Sequence, residues 1–322
     1  MDVVAVDLGG THARFAIAQV EAGRVVSIGE PVTLKVAEYA TFPSAWEAFG
    51  KGLDRPLPRA ASIAVASPIN DTLIKLTNNP WIIRPPLIQE RLGVDAYTLI
   101  NDFGAVGHAV AQLGPEHFLH LTGPDVPLPD KGSITVCGPG TGLGVAQVFH
   151  TRGDYHVIAT EGGHMDFAPL DNIEDAIIRR LRPTYTRVSA ERVVSGPGIV
   201  PIYETLAEIE HKPVKTRDDK TLWDLALKGE DSLAVAAMDR FCLALGGVAG
   251  DLALAHGPTA VVIAGGLGLK LKDQLIASGF SQRFTAKGRF QALMASIPVK
   301  IITHPQPGLF GAAAAFAQEH AR

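Results

Sequence analysis

The run Asp7-Leu8-Gly9-Gly10-Thr11-His12-Ala13-Arg14 follows a short apolar stretch with a carboxylate, two glycines and a hydroxyl. A carboxylate ending a buried strand is costly unless a cation or hydrogen-bond donors meet it. Glycines in the turn expose backbone N–H groups, so the segment reads as an anion-binding nest. The adjacent Asp7 could then hold the Mg²⁺ that accompanies a nucleotide. A hairpin turn with a satisfied Asp accounts for the same residues equally well. A second loop, Gly138-Pro139-Gly140-Thr141-Gly142-Leu143-Gly144, has four glycines in seven residues directly after an apolar run. Such a loop lets phosphate oxygens approach the main chain. It has no G-x-G-x-x-G spacing, and no G-x-x-x-x-G-K-[ST] occurs in the chain. A third glycine turn, Ala264-Gly265-Gly266-Leu267-Gly268, leads from a strand into a helix, where a base or ribose could lie against backbone.

Two other groups offer side-chain chemistry. Asn101-Asp102 ends the apolar run Tyr97–Ile100 just before a helical pattern, and α/β sheets bind ligands at the carboxyl ends of their strands. Asp102 could orient an attacking hydroxyl, which in a largely dissociative phosphoryl transfer matters more than deprotonating it. As a helix N-cap it would serve the fold alone. Glu161-Gly162-Gly163-His164-Met165-Asp166 lacks the H-E-x-x-H spacing of a zinc site. A carboxylate accepting two hydroxyl hydrogen bonds beside an imidazole suits a sugar instead, with a surface His as the plain alternative for His164. From the residues alone, Glu191 reads as a helix-surface Glu. Thr77-Asn78-Asn79-Pro80-Trp81 reads as a polar turn whose Asn side chains could meet hydroxyls.

Strands and helices must position these groups. Val3–Val6, Arg14–Val20 and Arg24–Ile28 read as consecutive strands, Thr41–Leu53 as a helix, and Ala61–Ala66, Leu73–Leu76 and Tyr97–Ile100 as strands. Phe103–Leu113 has helical spacing. A Pro-rich stretch from Gly123 to Gly132 is the clearest internal boundary. Beyond it the order begins again with strands Ser133–Cys137, Gly144–His150 and Tyr155–Thr160. Helices Asn172–Leu181 and Leu233–Ala255 follow, then strands Ala260–Ala264 and Val299–Thr303 and a final helix Leu309–Ala317. Both halves run strand, glycine turn, strand, strand, with Gly10-Thr11 and Gly140-Thr141 at equivalent places 130 residues apart. Two facing α/β lobes with a glycine turn in each suit a polyphosphate.

Composition narrows the classes. The 322 residues are 47% hydrophobic and 19% charged, which excludes a disordered or fibrous chain and suffices for two cores. A net charge of −4 gives no reason to expect a nucleic-acid or membrane partner. Cys137 and Cys242 are too few for a disulfide framework or a Cys-rich zinc site. The opening Met1–Ala5 is not read as a secretory signal, and Leu233–Ala255 carries Asp239, Arg240 and Asp251, which argues against a membrane span. A soluble, cytoplasmic protein is expected.

Six motifs in order carry a resemblance. They are Asp-x-Gly-Gly-Thr-x-Ala-Arg from Asp7, Thr-Asn-x-x-Trp from Thr77 and Ile-Asn-Asp-Phe from Ile100. Gly-x-Gly-Thr-Gly-Leu-Gly from Gly138, Glu-Gly-Gly-His-x-Asp-Phe-Ala-Pro from Glu161 and Ser-x-Glu-Arg-x-x-Ser-Gly-Pro-Gly from Ser189 complete the set. The set resembles the ATP-dependent glucokinases typical of proteobacteria, within the hexokinase–actin superfamily. The resemblance implies an α/β fold of two ribonuclease-H-like lobes (the actin/hexokinase-type ATPase fold) with an interlobe cleft. A small lobe of residues 1–110 plus 303–322 and a large lobe of 111–302 are implied with it. It also implies ATP-dependent phosphorylation of glucose to glucose 6-phosphate, ATP and Mg²⁺ at the site, and a homodimer. Asp102 is implied as the catalytic base facing the sugar's 6-hydroxyl, with Asn101, Glu161, His164 and Glu191 as hydroxyl ligands and Asn78 close by. Asp7, Gly9, Gly10 and Thr11 form one implied phosphate loop, with Asp7 toward the metal. Gly138, Gly140, Thr141 and Gly142 form the other, and Gly265 and Gly266 the adenosine loop.

One departure falls at Ala66-Ser67-Pro68-Ile69-Asn70-Asp71, where family members often carry a glycine; Asn tolerates positive φ, so the turn is expected to survive. A kinase for another hexose or an N-acetylhexosamine, and a non-catalytic sugar sensor, are the alternatives. Against the sensor stand Asp102 and a first strand beginning at residue 3, ahead of which no DNA-binding helix pair is expected.

Overall fold

Apolar side chains on both faces from Val3 to Val6 suit the first strand (β1, Asp2–Leu8) only to the inside of a sheet covered on each side. In the computed structural model, which describes residues 1–70, 72–76, 79–151, 153–214 and 216–321, β1 is the centre of such a sheet. The chain forms two compact units, one of Met1–Gly114, Val157–Ala159 and His304–Arg322, the other of Pro115–His156 and Thr160–Thr303.

In the first unit β1 pairs antiparallel with β2 (His12–Glu21) across the Gly9–Thr11 turn, and β2 pairs with β3 (Arg24–Ile28) and β4 (Val32–Lys35). On its other side β1 runs parallel to β5 (Ala60–Val65). After a small hairpin of β6 (Ile74–Lys75) and β7 (Ile82–Ile83), β8 (Ala96–Asn101) runs parallel to β5. The register sets Leu8, Val65 and Asn101 in one row, so Asp7 and Asn101 reach the same carboxyl edge. The helix Phe42–Lys51 starts on a capping box, Thr41 and Ser44 each accepting from the other's backbone N–H. It packs Phe42, Trp46 and Phe49 around Phe15 on one face of the sheet. The opposite face is covered by helices Asp102–Gln112 and Pro307–His320, whose contact surfaces are mostly alanine. Their backbones come so close that a Cβ on Gly311 would run into the Ala105 carbonyl. Two side-chain bonds tie the last helix to the sheet, Ser62 donating to Ala312 O at 2.5 Å and Thr98 to Glu319 at 2.6 Å.

The second sheet repeats the pairing. Following β9 (Phe118–Thr122), strands β10 (Gly132–Pro139), β11 (Leu143–Thr151) and β12 (Asp154–Thr160) come in sequence, and β13 (Ala260–Ile263) and β14 (Val299–Ile302) extend the sheet in parallel from β10. The order β12-β11-β10-β13-β14 matches β3-β2-β1-β5-β8, with β9 added antiparallel at the edge. The Pro-rich stretch from Gly123 to Gly132 is therefore no boundary between units. Phe118–Thr122 has joined the second sheet before that stretch begins, so the stretch is a connection inside the second unit. The 25-residue helix Ser232–His256 is apolar and long enough to cross a membrane, yet 72% of its most apolar window is buried in this unit's core. Its Arg240 pairs with Asp171 at 2.5 Å, and Arg283 joins the same carboxylate. Cys137 and Cys242 are free and buried, and burial pushes both thiols up to about 12.

Candidate active site

β1 delivers Asp7 to the carboxyl edge of the first sheet. Its carboxylate meets Arg14 at 3.1 Å and lies against Gly308 at the head of the last helix. Burial pushes the Asp7 carboxyl up, and the Arg14 guanidinium pulls it partly back. In the turn that follows, the Gly9 N–H donates to His12 O at 3.0 Å and closes the hairpin. Neither Gly9 nor Gly10 has positive φ. The turn is therefore made without left-handed backbone. Among the described residues, its Gly10 and Thr11 amides carry no hydrogen bond. Asn79 fastens the turn by donating to Gly9 O at 3.0 Å, whereas Asn78 lies outside the described residues.

At the end of β8, Asn101 caps the following helix, its side-chain oxygen accepting from the N–H groups of Phe103 at 2.9 Å and Gly104 at 3.1 Å. Its amide nitrogen donates to Ser67 O at 3.4 Å. Asp102 is therefore not the N-cap. It is the first helical residue, with Oδ1 accepting from Phe103 N–H at 2.9 Å. The departure at Asn70 also resolves differently from expectation. Asn70 keeps negative φ, and its side chain builds the turn by accepting from Thr72 N–H at 3.1 Å and Leu73 N–H at 2.8 Å.

In the second unit four segments converge. The Gly140 N–H closes the turn onto Gly142 O at 2.8 Å, leaving the Thr141 and Gly142 amides without a hydrogen bond among the described residues. Leu143 N–H donates to Glu191 Oε2 at 2.9 Å, and a Cβ on Gly142 would collide with that carboxylate. Glu191 is thus no surface residue. Its side chain is only 24% exposed, and its other oxygen lies 4.0 Å from His164 Nε2. The same Nε2 is 3.9 Å from Glu161, which is 62% exposed, so one imidazole nitrogen faces two carboxylates. Gly163 lies against the Leu143 main chain, setting this loop directly on the glycine turn. The segment at 264–268 completes the group. Gly265 has φ +79°, and its position against the Pro139 carbonyl leaves no room for a side chain. Pro139 and Gly138 are thereby held on the start of the helix Gly265–Lys270, with Gly266 open beside them.

Several contributors escaped the sequence reading. Arg187 fixes the Glu161–Asp166 loop by donating to His164 O and to Asp166 Oδ1, each at 2.7 Å. Gly196 N–H donates to Gly140 O at 2.7 Å, and Gly196 O accepts from the Trp223 indole at 2.9 Å, so the Ser195–Gly198 turn braces the glycine turn. Asn79 had a legible signal in the Asn-Pro step, which favours a side-chain-bonded turn. Arg187 had none, because its partners are 21 and 23 residues away.

Carboxylates beside an imidazole can bind hydroxyls, and unbonded main-chain amides can bind anionic oxygens. Among the described residues no three His, Cys, Asp or Glu side chains gather to hold a metal. Asp7, whose Oδ2 is the oxygen paired to Arg14, fits Mg²⁺ of the kind bound mainly by phosphates and water with one protein carboxylate.

A doubled α/β unit with mixed sheets and a glycine turn at the head of each is the architecture of sugar kinases. The structure is similar to that of glucokinase from an Antarctic psychrotroph, with TM-score 0.85 and 31% identity over 98% of each chain. It is also similar to that of glucokinase from Balamuthia mandrillaris, solved with glucose, at TM-score 0.80, 21% identity and 98% and 93% coverage. The glucokinase family model matches residues 4–319, and the chain is 58% identical to the glucokinase of Zymomonas mobilis over 99% of both. The chain belongs to the glucokinase family.

Proposed function

We propose that the protein transfers the γ-phosphoryl group of ATP to the 6-hydroxyl of glucose, giving glucose 6-phosphate and so opening glucose catabolism. The observation that carries this reading is the Glu161–His164–Glu191 group, seated on the same turn that offers the Thr141 and Gly142 amides. Two carboxylates and an imidazole suit vicinal hydroxyls, and unbonded amides suit phosphate oxygens. Asp102 receives and orients the 6-hydroxyl, and Asn101 and Asn78 are assigned to the sugar as well. Glu161, His164 and Glu191 hold the remaining hydroxyls. The two glycine turns, Gly9, Gly10 and Thr11 and Gly138, Gly140, Thr141 and Gly142, take the phosphates through the unbonded amides of Gly10, Thr11, Thr141 and Gly142, and Gly265-Gly266 takes the adenosine.

Transfer through a loose transition state places little demand on base strength, so aiming the sugar oxygen is the task left to Asp102, whose carboxylate takes the proton as the new bond forms. Asp7 is the residue that would hold Mg²⁺, which supplies charge neutralisation at the β- and γ-oxygens. Residues 1–110 with 303–322 and residues 111–302 act as a small and a large ribonuclease-H-like lobe. Their closure on sugar across an interlobe cleft excludes water and suppresses wasteful hydrolysis. A cytoplasmic homodimer is part of the same reading.

The test is sugar-dependent ADP release in a coupled assay over glucose, mannose, fructose and N-acetylglucosamine. Glucose is expected to lead in kcat/KM by about tenfold or more. A preference for N-acetylglucosamine reassigns the substrate, and glucose binding without ADP release makes the protein a sensor.

A further inference from the structure

The first unit contains a cavity of about 230 Å³ that the reaction does not use. Phe42, Pro80, Trp81 and Ile88 line it, together with the exposed Arg84 and Arg91. An apolar cavity of about 150 Å³ holds a benzene ring, so this one has room for one ring and a short side chain. The two arginines are unusual in their unit. Arg14, Arg24, Arg55 and Arg59 each bond a carboxylate or a carbonyl, whereas Arg84 and Arg91 have no such partner among the described residues. Two uncompensated guanidiniums lining a largely apolar pocket match an anion with an apolar body.

Occupancy of the cavity would also be felt elsewhere. The Trp81 N–H donates to Asn79 Oδ1 at 2.9 Å, and Asn79 donates to Gly9 O at 3.0 Å. The Trp81 indole donates to Tyr39 O at 2.9 Å. Tyr39 N–H donates in turn to Val36 O at 3.2 Å, and Val36 N–H to Thr11 O at 3.0 Å. One wall of the cavity is thus tied to both ends of the Gly9–Thr11 turn.

We propose that this cavity is a regulatory site for a small organic carboxylate with a single ring or a short branched chain, and that its occupancy changes how the Gly9–Thr11 turn receives nucleotide. The coupling half rests on the reading of that turn as a phosphate loop, and the binding half does not. Isothermal titration with phenylacetate, with benzyl alcohol as neutral counterpart and inorganic phosphate as an anion without apolar body, tests the site. Phenylacetate is expected to bind, and Arg84→Ala and Arg91→Ala each to weaken it about tenfold, the cost of one charge-assisted bond. Benzyl alcohol should bind more weakly by a similar factor, and phosphate alone not at all at this place. Absence of phenylacetate binding at about 10 mM, or equal affinity in both arginine variants, overturns the site. Both arginines are exposed and unpaired, so their variants should unfold at the parent temperature. Titrating ATP with and without saturating phenylacetate tests the coupling. A change in ATP affinity is expected, matched by an equal change in phenylacetate affinity when ATP is present. Unchanged ATP affinity overturns the coupling. Failure of ATP to bind at all overturns the phosphate-loop reading, while the arginine variants still decide the anion site.

Discussion

Glu191 offers one oxygen to the Leu143 amide and turns the other toward His164, so a single carboxylate shapes the glycine turn and reaches the proposed sugar ligands. Removing it should therefore affect two ligands. Glu191→Ala is expected to raise the KM for glucose and for ATP together, because Leu143 N–H loses its acceptor. Glu191→Gln, which can still accept at Leu143, should raise mainly the glucose value. Steady-state kinetics on the pair checks this, and equal effects of both variants on ATP would count against the bracing role. Asp102 poses a simpler case. Asn101 already caps the helix, so Asp102→Asn leaves the cap intact. A kcat lower by about 10²–10⁴, with glucose affinity held within a few-fold by titration calorimetry, is the expected outcome.

At the scale of elements, the helix carrying Asp102 is held from behind by the chain's last helix, and Gly311 is the point of closest approach. An exposed helical Gly→Ala normally gains up to about 1 kcal/mol. Here the added methyl meets the Ala105 carbonyl, so Gly311→Ala should instead cost about 1–3 kcal/mol in denaturant unfolding. A lower kcat is expected with it, because the Asp102 helix must shift. The same helix carries His108, whose burial lowers its pKa to about 4. The folded form keeps the imidazole neutral, while the unfolded chain takes up a proton near pH 6.5. Its contribution is complete above about pH 6.5 and is lost progressively as pH falls toward 4. Thermal unfolding between those limits should show a decline that His108→Gln flattens.

Taken whole, the molecule is one design made twice, each sheet built on a strand, a glycine turn and a returning strand, with two further parallel strands beyond. The proposed sugar ligands are divided between the copies, Asn101 and Asp102 in one unit and Glu161, His164 and Glu191 in the other. Hydrogen exchange should therefore show glucose slowing amides around Phe103–Gly104 and around Leu143 and Gly162–His164 together. Protection confined to one unit would count against a sugar held by both. The repeat was legible from residues because strands buried on both faces demand nearly continuous apolar runs, as in Val3–Val6 and Ala260–Ile263, with Ala61–Val65 broken only by Ser62. The unit boundary was not, because a Pro-rich stretch reports only a break in regular structure. Whether Phe118–Thr122 pairs forward or backward is decided by a strand some 180 residues away.

Local chemistry along the chain determined the glycine turns, the helix starting after Asn101 and the family motifs, since each depends on residues within a few positions of one another. Tertiary structure alone decided that Glu191 turns inward to Leu143, that Arg187 pins His164, and that a terminal glycine admits the Asp102 helix. Those are contacts between distant segments, and a side chain's partner there depends on how sheets and helices stack rather than on its neighbours in sequence.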